Sequence, residues 1–135
     1  MIGRYAMLRA SCFLAVAGAA CAQVGAPLMG YLPDGGTLRT MSGIPAAGSV
    51  GAAIAPGGVF SRIEVAPDQT KALAVAADTG AVMLYTMSSG ASVAVQGVAS
   101  APDRIIFSPS GTAAGLWFSN TRHFQLLHLA PSLNS

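Results

Sequence analysis

The chain writes one phrase twice. "RIEVAPDQTKALAVAAD" (residues 62–78) returns 42 residues later as "RIIFSPSGTAAGLWFSN" (104–120). Arg62 aligns with Arg104, Ile63 with Ile105, Pro67 with Pro109, Thr70 with Thr112, Thr79 with Thr121 and Leu84 with Leu126. Asp78 meets Asn120, and apolar character is kept at Val65/Phe107, Val75/Trp117 and Val82/Phe124. A weaker third copy lies upstream, where "DGGTLRTMS" (34–42) resembles "DTGAVMLYTMS" (78–88) at an offset of 44. Self-similarity at a fixed period of this size means a repeat architecture, in which each unit buries a face against its neighbour.

Each unit has the same internal grammar. A short strand, "RIEVA" or "RIIFS", leads into a "PDQT" or "PSGT" turn, where Pro presets φ and a small polar residue or Gly closes the loop. "KALAVAA" or "TAAGLWF" follows, then a "DTG" or "NTR" turn, then "AVMLYTM" or "HFQLLHL". "SVAVQG" (92–97) supplies a fourth strand. Strands of this length between Asp, Asn, Gly and Pro turns predict an antiparallel meander. The Ala-rich stretch 71–84 is also compatible with a helix. Asp78-Thr79-Gly80 interrupts it, however, and its partner copy carries Gly115 and aromatic residues that suit a strand. Since both copies share one fold, the less helical copy decides for both. The expected class is all-β: four-stranded antiparallel units of period about 42, preceded by a signal-peptide helix.

"IIFSPSGTAAGLWFSNTRHFQLLHL" (105–129) resembles a WD40-like or related bacterial β-propeller blade. The resemblance covers about residues 28–129 and implies a partial propeller. The Gly-His pair of true WD40 repeats is absent, and Tyr85-Thr86 and Leu127-His128 stand where Trp-Asp closes the third strand. The resemblance therefore implies blades without that family's hydrogen-bonded tetrad. The expected organisation is a signal peptide at 1–22 and a partial propeller at 23–135. The latter divides into an incomplete first blade (27–57, lacking its inner strand), a complete blade (58–99) and an incomplete last blade (100–130). About ten strands result, whereas a closed propeller needs at least four blades.

The leader reading rests on "MIGRYAMLR", the apolar run "ASCFLAVAGAA" and a small-x-small site, Ala20-Cys21-Ala22, before Gln23. The run is too short for a ~30 Å hydrocarbon core. Cleavage gives an exported chain, periplasmic or extracellular. An uncleaved anchor and lipidation at Cys21 are the alternatives, and through them alone would the chain meet a membrane. Cys12 and Cys21 both fall in the leader, so the mature chain lacks a cysteine nucleophile, a cysteine-ligated zinc site and a disulfide.

Charge narrows the function classes. Charged residues make up only 9% of the chain, and once Arg4 and Arg9 leave with the leader, five basic residues face five acidic ones. That balance is no nucleic-acid footprint. The sequence has no phosphate-binding G-x-x-x-x-G-K-[ST] loop and no G-x-S-x-G elbow. His123 and His128, five apart on a strand, point to opposite faces and cannot share a metal. Asp34, Asp78 and Asn120 recur in turns, where such side chains cap the backbone, so neither calcium nor any other metal or cofactor is expected. The candidate ligand-facing residues are Arg62 and Arg104, whose recurrence suits either an anion or a solvated strand start, and Trp117, which suits either inter-sheet packing or sugar stacking.

The expected function is a non-enzymatic binding or scaffold module that meets a protein partner or itself. The alternatives are a small lectin closing a ring from short chains, and a truncated piece of a propeller enzyme. Ile63, Val65, Ile105 and Phe107 should face packed sheets, with Asp68, Asp78, Ser110 and Asn120 in exposed turns. Leu38, Ile44, Trp117, Phe118 and Leu126 are expected on open end faces.

Overall fold

The computed structural model of the chain describes residues 26–54 and 56–129. The expected leader helix and the cleavage site lie outside them. Among these residues, ten strands form three antiparallel sheets. The first holds β1 (Leu28–Asp34), β2 (Thr37–Ser42) and β3 (Ser49–Ile54). The second holds β4 (Phe60–Val65), β5 (Lys71–Ala76), β6 (Val82–Thr86) and β7 (Ser92–Ala94). The third holds β8 (Arg104–Phe107), β9 (Ala113–Phe118) and β10 (His123–His128). Every sheet runs in chain order, as a meander does. The stretch 71–84 contains β5, a turn and the start of β6, and no helix.

The period of 42 reappears in the hydrogen bonds. Ala66 N donates to Lys71 O, and Ser108 N to Ala113 O. Gln69 N donates to Ala66 O, and Gly111 N to Ser108 O. Met87 N donates to Thr70 O, and Leu129 N to Thr112 O. The left-handed turn positions repeat too: Gln69 (φ 59°) answers Gly111 (φ 68°), and Gly80 (φ 70°) answers Arg122 (φ 51°). Asp68, Asp78, Ser110 and Asn120 all stand exposed in turns.

Two apolar clusters hold the sheets together, and the second sheet contributes to both. Toward the first sheet it presents Ile63, Ala72 and Ala74, with Val65, Met83, Tyr85 and Met87 around them and Leu38 packed in from β2. Toward the third it presents Leu73, Val75, Val82 and Leu84, which meet Ile105, Ala114, Leu116, Phe118, Leu127 and Leu129. Alternation along β5 therefore serves two interfaces, and Ala72 through Val75 are all buried. Alanine has little intrinsic preference for strands. Here the small side chains fill the interface with the first sheet, and burial outweighs propensity.

Ile63 and Ile105 are buried and Val65 and Phe107 are half-buried against these clusters, as expected. Two of the end-face residues are corrected. Leu38 is 1% exposed and Phe118 is 7% exposed. Leu38 is the knob that the first sheet inserts against the second, and Phe118 lies on the face of β9 that looks inward. Ile44 and Leu126 are exposed, and Trp117 is half-buried.

Candidate functional site: an open sheet face

Alternation assigns the outward side chains of the third sheet. On β9, Ala114, Leu116 and Phe118 join the core, so Ala113, Gly115 and Trp117 look away from it. On β8, Ile105 and Phe107 point in, leaving Arg104 and Ile106 outside. On β10, Leu127 points in, leaving Phe124, Leu126 and His128 outside. Cross-strand pairing builds this face in rows: Arg104, Trp117 and Phe124 lie side by side, as do Ile106, Gly115 and Leu126. A Cβ on Gly115 would come within 2.5 Å of the Phe124 ring, so the ring lies over the bare glycine backbone. Ile106, Phe124 and Leu126 are each more than half exposed, at 58%, 55% and 56%. The result is one contiguous apolar surface with a guanidinium at its rim.

The offset of 42 identifies what kind of surface this is. Subtracting it from Gly115, Trp117, Phe124 and Leu126 gives Leu73, Val75, Val82 and Leu84, the four residues through which the second sheet packs on the third. The opposite faces correspond equally well. Ile63, Val65, Ala72, Ala74, Tyr85 and Met87 of one interface map onto Ile105, Phe107, Ala114, Leu116, Leu127 and Leu129 of the next. The exposed face of the third sheet is thus the equivalent of a buried inter-sheet face.

Arg62 and Arg104, also paired by the repeat, differ in the same way. Arg62 is half-buried and donates from Nη1 to the carbonyl of Asp103, across the junction between the second and third sheets. Arg104 is exposed and makes no hydrogen bond or ion pair with the described residues. The two arginines flank an open recess of about 390 Å³ together with Glu64 and Asp103. A second recess, of about 530 Å³, lies over Trp117, Phe124 and Ile106 beside Arg104. The structure thus brings Arg104 and Trp117 together on one face and places Arg62 one junction away.

Asp103, whose carbonyl accepts that Arg62 bond, is itself held within the third unit. Its Oδ2 accepts from the Ser119 hydroxyl (2.7 Å) and the Ser119 amide (2.6 Å), and its own amide donates to Trp117 O (2.8 Å). The Ser119 hydroxyl and amide, with the Arg62 guanidinium nearby, hold the Asp103 carboxyl below its ordinary value. Such a carboxylate stays ionised at neutral pH and serves as an acceptor rather than a proton donor. Asp34, Asp78 and Asn120 stay in separate exposed turns, and among the described residues no three His, Cys, Asp or Glu side chains gather as metal ligands. His123 and His128 fall on opposite faces of β10, with His123 tilted against Phe118 at 6.1 Å between centroids. Cys21 lies outside the described residues.

Sequence reasoning missed Phe124 and Ile106 as partners of Trp117, and Ser119 as the partner of Asp103. The signal for the first was present: projecting the buried positions of one copy onto the other through the offset selects that face. Compared with known proteins, the chain matches no family model and no curated sequence.

Proposed function

We propose that the chain is an exported, non-enzymatic, propeller-type module of stacked blades that works as a binding or scaffold unit through its open end. One observation carries this reading: the outward face of the third sheet corresponds, position for position, to a face buried between two sheets. In repeat architectures each unit contacts only its neighbours, and a terminal unit needs a polar cap to stay soluble alone. The outward face of the third sheet is apolar instead, with Ile106, Phe124 and Leu126 left exposed by the described residues. Full burial of each such side chain contributes roughly 1.5–3 kcal/mol, a large share of a domain stability of ~5–15 kcal/mol. A contiguous apolar patch of this kind marks an interaction site.

The test uses protein isolated from the envelope or medium of its cells. Light scattering after size exclusion, apolar-dye binding and thermal melting should reveal either an associated species or a marginally stable monomer that binds the dye. A dilute monomer with a sharp melt and no dye binding would refute the open-end reading. The intact mass of the same sample should begin at Gln23. An acylated Cys21 would point to the lipoprotein form, and a retained Met1 would remove cleavage from the account.

A further inference from the structure

We infer that the recess between β4 and β8 binds an amino-acid zwitterion, free or as a short peptide, with its ammonium on Glu64 and its carboxylate on the Ile105 amide and the arginines. The site is separate from the open-face reading. It lies at the junction of the second and third sheets and is built wholly from described residues. Cross-strand pairing aims its side chains. Arg62 and Glu64 pair with Val75 and Leu73, which face the third sheet, so both reach from β4 toward β8. Asp103, Arg104, Ile105 and Ile106 line the other side of the recess, whose volume is about 390 Å³. That is near the small end of the roughly 300–1,000 Å³ of ligand sites.

Four charged groups line the recess, two of each sign. Two of them are committed. Arg62 donates from Nη1 to Asp103 O, and Asp103 Oδ2 accepts from the Ser119 hydroxyl and amide. The half-buried Glu64 and the exposed Arg104 pair neither with each other nor with any other group among the described residues. Opposite charges thus face one recess without meeting. An anion alone would suit the arginines and be repelled by Glu64, and a cation alone would meet the converse. A ligand that carries both signs satisfies both. A backbone donor points the same way. Ser108 N donates to Ala113 O, so the hydrogen-bonded pairs of the β8–β9 ladder are Ile106 with Gly115 and Arg104 with Trp117. The Ile105 amide therefore turns to the free edge of β8, where the recess lies. Its equivalent in the second sheet, the Ile63 amide, donates to Gly35 O at 3.0 Å. The Ile105 amide has no such acceptor among the described residues, although Ile105 is only 7% exposed. Buried amides are nearly always paired. A carboxylate in the recess, accepting from this amide and from the guanidiniums, completes the set.

Titrations of the isotope-labelled chain, followed at the Ile105 amide resonance, test the site. L-alanine or L-alanyl-L-alanine should shift that resonance saturably, and the tighter of the two tells the free amino acid from the peptide. Propionate, which lacks the ammonium, and ethylamine, which lacks the carboxylate, should each bind at least tenfold more weakly. Glu64→Gln should weaken the zwitterion at least tenfold and bring propionate level with it, and Arg104→Gln should weaken both. Neither side chain belongs to the inner clusters, so the remaining resonances should keep their dispersion. The comparison of ligands on the wild-type chain decides the matter even where a variant misfolds. No saturable shift with either zwitterion would overturn the inference. Propionate binding as tightly as the zwitterion would reduce the site to one for anions and overturn it as well, as would an unchanged affinity in folded Glu64→Gln. These results are read independently of the open third-sheet face, which dye binding and light scattering test.

Discussion

Gly35 and Gly36 are neighbours in the β1–β2 turn, yet replacing each with alanine should fail for a different reason and by a different amount. At Gly36, an added Cβ would lie 2.8 Å from the Phe60 carbonyl carbon and closer still to its oxygen. Carbon atoms in contact sit at roughly 3.5–4.0 Å, so the turn and β4 would have to part by about 0.7 Å or more, backbone against backbone. That movement breaks the bond from Ile63 N to Gly35 O (3.0 Å), worth about 1 kcal/mol. It also withdraws Leu38, 1% exposed, from Ile63, which forfeits part of the roughly 1.5–3 kcal/mol of its burial. Gly36→Ala should therefore cost about 2–4 kcal/mol, or roughly 10–25 °C in Tm for a domain of this size. At Gly35 nothing lies within 4 Å of the added carbon, and the only obstacle is φ of +59°. Strain of about 1–2 kcal/mol is offset in part by ~0.4–1 kcal/mol from the stiffer unfolded chain, so Gly35→Ala should cost about 1 kcal/mol. Urea unfolding followed by far-ultraviolet dichroism, at one fixed protein concentration, separates the two. If Gly36→Ala came within ~0.5 kcal/mol of wild type, or if Gly35→Ala proved the costlier change, the close docking of this turn on β4 would be wrong.

Arg122 occupies a left-handed turn position (φ 51°) at which the other copy of the repeat has Gly80, so Arg122→Gly should stabilise the chain by about 0.5–1 kcal/mol, a gain of a few degrees in a thermal melt. No gain would mean that the two turns are not equivalent. The Asp103 carboxyl is held below its ordinary value of 3.8 by the Ser119 hydroxyl and amide, so its contribution is present above about pH 4 and is lost as pH falls through the lower folded value. Asp103→Asn should accordingly flatten the loss of stability below pH 4, and an unaltered acid limb in urea titrations would detach the Asp103–Ser119 contact from stability.

Much of this architecture was legible because the repeat constrains local readings twice over. "KALAVAA" alone is ambiguous between helix and strand, and "TAAGLWF" is much less so; the shared fold makes β5 a strand despite its alanines. The turns were legible for a local reason. Pro67 and Pro109 each open a turn whose third residue, Gln69 or Gly111, is left-handed, and Asp68 is placed to accept from the Thr70 amide (3.1 Å).

The faces were harder to read, and that difficulty fell on the candidate site. A period of two separates Phe118 from Trp117 and Leu38 from Arg39, but it does not say which of each pair looks toward a neighbouring sheet. In a single two-layer sandwich, polarity settles the matter, because the outer face is wet. In a stack, both faces of a middle strand are apolar, as Ala72 to Val75 show, and the third sheet has that pattern on a face that no other described residue covers. Trp117 and Phe118 are then equally apolar neighbours, and only the direction of stacking distinguishes them. The structure supplies that direction through Arg62, which reaches forward to Asp103, and through Leu38, which reaches forward to Ile63. Each sheet hands the same face to the next, so the face of the third sheet that no described neighbour covers is the one bearing Trp117 and Phe124. Its chemistry is therefore that of a protein interior, because its positions are the repeat equivalents of Leu73, Val75, Val82 and Leu84.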